Sequence, residues 1–287
     1  MEPQKKKPSI KKRVKVFLKF KKRKWLKTNS KPFLQIHLTD HCNLNCKGCA
    51  HFSPIAKQNC ITFEKLQEMF DKLKNMEKMF SRLELMGGEP LLHPEINTIL
   101  EYSRKTFPNI QIRLVTNGIN LDKMPPSFFK TCAENTILIY ISIYPININY
   151  AQIVQTLDSY GILHSQYGEY ENCKVFYSYR LNPNGKYRIK SNYNHCGLGG
   201  RCLQLKDNRI YPCFLSAYAN HLNHFFNTNF TWEDRDYLSI DKPITEKQFH
   251  DFINNPSPFC RYCNIRHNKI MEWGLSEKKA DEWLVLS

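Results

Sequence analysis

No apolar run in this 287-residue chain approaches the ~20 residues needed to cross a bilayer. The N-terminal stretch also lacks an apolar segment of the secretory kind, because charges interrupt it throughout. Both absences predict a cytoplasmic protein. In that reducing compartment the eleven cysteines are expected as thiols or metal ligands, not as disulfides. A disordered chain is excluded as well, since 41% of residues are hydrophobic and 13% aromatic. Single cores stop growing near ~250–300 residues, so this length suits one substantial core with a smaller appendage.

Evenly spread charge is missing too. The formal charge is +16, yet residues 1–31 hold fourteen Lys and Arg against one acid, a net +13 that leaves +3 for residues 32–287. The basicity therefore belongs to an arm. Residues 9–27 read as a basic amphipathic helix, with Ile10, Val14, Phe17, Leu18 and Trp25 roughly on one face and Lys11, Lys12, Lys15, Lys19, Lys22 and Arg23 around it. Such a segment suits an anionic membrane surface, where each basic residue contributes about 1 kcal/mol, and would place the protein peripherally at the inner membrane face. A solvated charge run with a few docked residues is the plainer reading, and nucleic acid is the third.

From residue 33 the pattern alternates between strand and helix. Strand-like runs fall at 33–38, 83–86, 111–115, 137–143 and, more weakly, 162–164; helix-like segments fall near 62–80, 94–106, 125–132 and 149–160. Thr62 suits an N-cap, followed by Leu66, Met69, Phe70, Leu73 and Met76 on one apolar face. This alternation predicts an α/β fold of parallel strands with helices outside, as an open sheet or partial barrel, in which ligands gather at the C-terminal strand ends.

Three of those strand ends carry unusual residues. The first leads into Cys42, Cys46 and Cys49, three thiols within eight residues and no fourth ligand nearby. A closed zinc site wants four ligands, whereas cysteine thiolates on one short loop suit an iron–sulfur cubane with one iron left over. The second strand runs into Gly87-Gly88-Glu89-Pro90, and the third ends in Thr116-Asn117-Gly118. Adjacent parallel strands would place all three loops around one mouth.

These residues resemble the radical S-adenosylmethionine (SAM, AdoMet) superfamily over about residues 33–180. The thiol loop matches its CxxxCxxC motif and the double glycine matches its GGEP motif. The resemblance implies a partial (β/α)6 TIM-like barrel in which AdoMet chelates the open iron of a 4Fe–4S cluster. It further implies reductive cleavage to a 5′-deoxyadenosyl radical that abstracts hydrogen, with flavodoxin or ferredoxin as electron donor. Gly87 and Gly88 allow close backbone approach; with Glu89 they would hold the methionyl ammonium, and Pro90 would fix the following turn. Asn117 and Ser142 are candidates for the AdoMet carboxylate or ribose, with turn or core roles as the alternative. Phe52 is the candidate aromatic beside the adenine, while His51 is read as a packing residue. Cys60, Cys132 and Cys173 lack partners at metal spacing and are read as buried thiols.

Beyond about residue 180 the alternation stops and cysteines recur at 196, 202, 213, 260 and 263. Asp207-Asn208 suits a two-residue hairpin turn. Counting outward from it pairs 206 with 209, 205 with 210, 204 with 211 and, finally, Cys202 with Cys213. Directly opposed residues have Cβ atoms about 4.5–5.5 Å apart, close enough to share a metal centre. Cys260 and Cys263 supply a CxxC and complete four. A structural zinc is one reading. The resemblance implies the other, a twitch extension (the smaller relative of SPASM) carrying an auxiliary 4Fe–4S cluster. Cys196 is the alternative to Cys202. The division that follows is 1–31 basic arm, 32–185 radical SAM core, and 186–287 auxiliary region with a cap formed by a helix around Trp273 and Trp283. The expected reaction is an oxidoreductase-like dehydrogenation or rearrangement of a sugar or nucleotide-linked metabolite. Peptide maturation is the alternative, set back by the 32 residues before the first strand, too few for a leader-binding domain. A reading of a different class is a non-catalytic metal-bound scaffold recruited by the arm.

Overall fold

Local sequence preferences account for the helices on one side of the sheet. The computed structural model describes residues 31–167, 175–265 and 268–286; the basic arm, and Cys173 with it, lie outside them. Four βα units come first: β1 (Phe33–Thr39), α1 (Phe63–Leu73), β2 (Arg82–Gly87), α2 (Ile96–Thr106), β3 (Gln111–Thr116), α3 (Pro126–Glu134), β4 (Ile137–Ser142) and α4 (Tyr150–Ser159). Thr62 caps α1 as expected, its side chain accepting from the Lys65 N–H at 3.3 Å. Strand β5 (His164–Tyr167) follows and pairs with β4. It begins two residues later than the apolar run suggests, because Ile162 is buried against the core before pairing starts.

Strands β1 to β5 form a parallel ladder. Its sixth parallel member is not the next strand in sequence. Strand β6 (Val175–Ser178) pairs instead with β10 (Lys269–Glu272) in a separate two-stranded antiparallel sheet. The sixth place goes to β7 (Cys202–Lys206), which lies parallel to β1 on its free edge, and β8 (Arg209–Tyr211) and β9 (Leu238–Ser239) extend the sheet antiparallel beyond it. The partial barrel thus has six parallel strands among the described residues, five from the βα run and one from the second cysteine region. Regions 32–185 and 186–287 share one sheet.

The strand faces divide cleanly. Leu34, Ile36, Leu38, Leu83, Leu85, Ile112, Leu114, Ile137, Ile139 and Ile141 pack with the apolar faces of α1 to α4 in one core. The opposite, inner face carries Gln35, His37, Glu84, Arg113 and Gln204, of which Gln35, Glu84, Arg113 and Gln204 are joined in a polar network. There Gln35 donates to Glu84 at 2.6 Å, Arg82 donates to Glu84 at 2.5 Å, and Gln204 donates to Gln35 at 2.6 Å.

The rest of the C-terminal region is short elements: α5 (Ile189–His195), α6 (Phe214–Tyr218), α7 (Asn220–Phe226) and α8 (Glu246–Asn254). Helices α6 and α7 close a second apolar core that includes Phe214, Tyr218, Phe230, Phe259 and Trp283 and also takes Phe52 and Ile55 from the loop after β1, whereas Phe249 of α8 packs in the first core. No helix among the described residues is long and apolar enough to cross a membrane.

Candidate active site

The loops after β1, β2 and β3 meet at one place. Gly88 N–H donates to the Thr39 carbonyl at 2.8 Å and Glu89 N–H to the His41 carbonyl at 3.0 Å, so the end of β2 is laced to the start of the thiol loop. That contact explains the two glycines. A Cβ on Gly87 would lie 2.1 Å from the Thr39 carbonyl oxygen, and one on Gly88 would lie 1.9 Å from the His41 carbonyl oxygen and 2.8 Å from the Cys42 nitrogen. The close backbone approach they permit is to the loop that carries Cys42. From the third strand, Asn117 reaches the same loop, its side-chain N–H donating to Asn43 Oδ1 at 2.8 Å and to Cys42 Sγ at 3.6 Å.

Glu89 is fully buried and its carboxylate is committed to protein donors: Oε1 accepts from Thr116 Oγ1 at 2.6 Å and Leu91 N at 3.1 Å, and Oε2 from Asn117 N at 2.9 Å. In this structure the side chain ties β2 to β3 and sets Asn117. Burial pushes its carboxyl up to about 7 against the pull of the three hydrogen bonds. A raised carboxyl favours the protonated folded state, so this group's stabilisation is full below the ordinary value of 4.5 and is lost as pH rises through about 7. Glu89→Gln should therefore remove a pH-dependent component of about 3 kcal/mol. Melting of the apoprotein from pH 5 to pH 8 checks this: the wild-type temperature should fall more steeply than the variant's.

Pro90 opens a buried 3-10 turn directly after Glu89. Ser142 is half-buried at the C-terminal end of β4, opposite Tyr167 of β5. Phe52 has a left-handed backbone, φ 60, and a fully buried ring in the second core, so it anchors the thiol loop from beneath and offers no open face to an adenine. His51 shares a 2.8 Å hydrogen bond with His37 and packs 5.0 Å from Phe214, in keeping with a packing role. Cys132 is buried in the first core. His221, in α7, is buried 3.8 Å from Asp40.

Burial raises the Cys42 thiol to about 11 and the Cys46 thiol to about 12. Ligation by a metal would deprotonate such thiols outright. Tyr144, in the loop after β4, is pushed well above its ordinary value by burial first and then by the charges of Cys46, Cys49, Cys42 and Glu89. Residues 273–283 also close on the loop. They form no capping helix: the chain runs from β10 through an irregular stretch to a 3-10 turn, Ala280–Glu282, because its backbone groups pair with the thiol loop. Lys47 N donates to the Gly274 carbonyl at 2.8 Å, Ser276 N to the Asn45 carbonyl at 2.9 Å, Gly48 N to Glu282 at 3.1 Å, and Trp283 Nε1 to the Cys49 carbonyl at 2.9 Å. Tyr144, Glu282 and this strap carry no local signature in the sequence.

The second thiol group assembles differently from the hairpin count. The turn is where the sequence puts it, with Asp207 at φ 49 and Asn208 at φ 57, and the register 206–209, 205–210, 204–211 holds. Pairing then stops. Pro212 has no N–H to continue the ladder, and its carbonyl accepts from Gly200 N at 2.9 Å. Cys202 stays on the inner face, donating to Gln35 at 2.9 Å, while Cys213 turns away into one narrow cavity lined also by Cys196, Cys260 and Cys263. Asn192 holds the CxxC by donating to the Cys260 and Cys263 carbonyls at 2.8 and 2.5 Å, and buried Asp236 accepts from Phe259 N at 2.7 Å. Among the described residues no three His, Cys, Asp or Glu side chains close on a single ion.

Residues 36–155 match the family model described as the Radical SAM superfamily. Over that stretch the chain carries a radical SAM domain. Among its relatives, "GTP 3',8-cyclase" of Trichodesmium erythraeum (strain IMS101) is 33% identical over 107 residues, 36% of this chain and 32% of that protein. The "S-adenosylmethionine-dependent nucleotide dehydratase" of Selenomonas ruminantium is 31% identical over 100 residues, 33% of this chain and 34% of the relative. The chain thus spans about a third of the length of these relatives. The solved structure of BtrN in complex with AdoMet and 2-DOIA aligns over 82% of this chain and 94% of that one, at 14% identity and a TM-score of 0.47.

Proposed function

We propose that this chain cleaves AdoMet reductively and directs the resulting radical at a hydrogen of a polar small molecule. The observation that carries the reading is the convergence on the Cys42, Cys46 and Cys49 loop of Gly87, Gly88, Glu89 and Asn117 from the next two strands. The three thiols would hold a 4Fe–4S cluster with one iron open to AdoMet. Such a cluster, when bound, supplies the single electron for cleavage of the sulfonium. The chain's own residues do the positioning. Gly87 and Gly88 set how closely β2 approaches the loop, and Glu89 fixes Asn117, whose amide steadies Cys42. Cys196, Cys213, Cys260 and Cys263 would hold the auxiliary cluster, with Cys202 left as an inner-face residue.

For the substrate, the inner face supports a polar molecule: Gln35, Glu84, Arg113 and Gln204 line it with donors and acceptors. Two relatives are named for nucleotide reactions, which supports a sugar-bearing or nucleotide-linked metabolite as substrate and a dehydrogenation or rearrangement as the reaction. Anaerobic reconstitution tests the reading. The protein should bind about eight irons, four per cubane, and with dithionite and AdoMet release methionine and 5′-deoxyadenosine. A colourless, zinc-loaded protein that leaves AdoMet intact would overturn it.

A further inference from the structure

One contact between the C-terminal strap and the thiol loop differs in kind from the rest. Four of the bonds joining them end on backbone atoms of the loop: Asn45 and Cys49 through their carbonyls, Lys47 and Gly48 through their N–H groups. The fifth ends on a sulfur. Trp273 Nε1 donates to Cys46 Sγ at 3.2 Å, across 227 residues of chain. The indole is half-buried and lies 6.4 Å from the Tyr144 ring, so it is held by packing as well as by the strap.

We infer that Trp273 is a positioning residue that sets the reduction potential of the cluster at Cys42, Cys46 and Cys49 through this N–H···S bond. The inference rests on the proposal that those thiols hold a 4Fe–4S cluster. A hydrogen bond to a ligand sulfur draws negative charge from it. It therefore stabilises the reduced, more negative cluster over the oxidised one and raises the potential; hydrogen bonding to the sulfurs is one of the protein's main controls over iron–sulfur potentials. An indole N–H is a donor only, so the bond has one possible polarity. The other four bonds place the donor before any cluster is present. Gly48 completes the fit: a Cβ there, at φ +62, would lie 3.1 Å from Met271 Sδ and 3.4 Å from the Glu282 carbonyl oxygen, so the strap rests directly on the loop. The C-terminal region thus adjusts how readily the distant donor can reduce the AdoMet-binding cluster.

Trp273→Phe keeps the ring and removes the N–H. The four backbone bonds remain, so the strap stays closed. The test is a potentiometric titration of the reconstituted full chain followed by EPR, with the AdoMet-binding cluster identified as the signal that changes on adding AdoMet. At the poise where the wild-type cluster is half reduced, the variant's reduced-to-oxidised ratio should fall about tenfold, 59 mV for one electron, at unchanged iron content. An unchanged midpoint with unchanged iron would overturn the inference. Loss of iron from the variant would also overturn it, making Trp273 a structural clamp. A wild-type protein with no AdoMet-sensitive signal would instead overturn the cluster assignment beneath it.

Discussion

Gly88→Ala should cost the protein its iron at the Cys42 loop and about 3–5 kcal/mol of stability. The new Cβ would sit 1.9 Å from the His41 carbonyl oxygen, 2.2 Å from its carbon and 2.8 Å from the Cys42 nitrogen. All three are backbone atoms, so no side chain can rotate out of the way. Either β2 withdraws, breaking the bonds from Gly88 N to Thr39 and from Glu89 N to His41, or the loop moves and takes Cys42 with it. Overpacking costs about 1–3 kcal/mol, occasionally more, and each lost hydrogen bond adds about 1 kcal/mol. Gly161→Ala separates this clash from backbone strain. Gly161, unlike Gly88, is left-handed, at φ +66, but has nothing within 4 Å of its Cβ position. It should lose about 1–2 kcal/mol and no iron. Denaturant titration of the apoproteins and iron counts after reconstitution read both effects. A Gly88→Ala protein with full iron and wild-type stability would refute the contact.

The second large effect concerns the auxiliary thiols. Cys196→Ala is expected to halve the reconstituted iron, from about eight to about four per chain, while Cys202→Ala keeps it. Cys196 lines the cavity that also holds Cys213, Cys260 and Cys263; Cys202 does not line it, and donates instead to Gln35 on the inner face. Iron lost from Cys202→Ala and kept by Cys196→Ala would restore the hairpin assignment. Retention by both would remove the cluster from this cavity.

That reversal marks where sequence reasoning stops. The Asp207-Asn208 turn was legible because two adjacent left-handed residues leave a compositional trace, and three rungs of the ladder followed by counting. What counting could not supply was the partner on the other side. Strand β7 pairs with β1, so Cys202 stands opposite Phe33, 169 positions earlier, and no local pattern announces such a pairing. The βα alternation was readable for the opposite reason, because apolar periodicity and Thr62 act within a few residues. Glu89 shows both limits in one side chain. Its place after the double glycine was plain, but its partners Thr116 and Asn117 are 27 and 28 residues away, and they turn it from the ligand pocket into the seam between strands. The expected helix around Trp273 and Trp283 does not form, because the backbone bonds of this tail go to the thiol loop.

The strap has a further consequence, in time. Cys49 and Trp283 are 234 residues apart, and ribosomes add about 5–20 residues per second. For some tens of seconds of synthesis the three loop thiols exist without the strap or the β7 strand that supports β1. The earliest cysteines to emerge are thus among the last to reach their final shape. Iron delivery should accordingly favour completed chains, and a chain stalled before residue 273 should expose the loop thiols to oxidation.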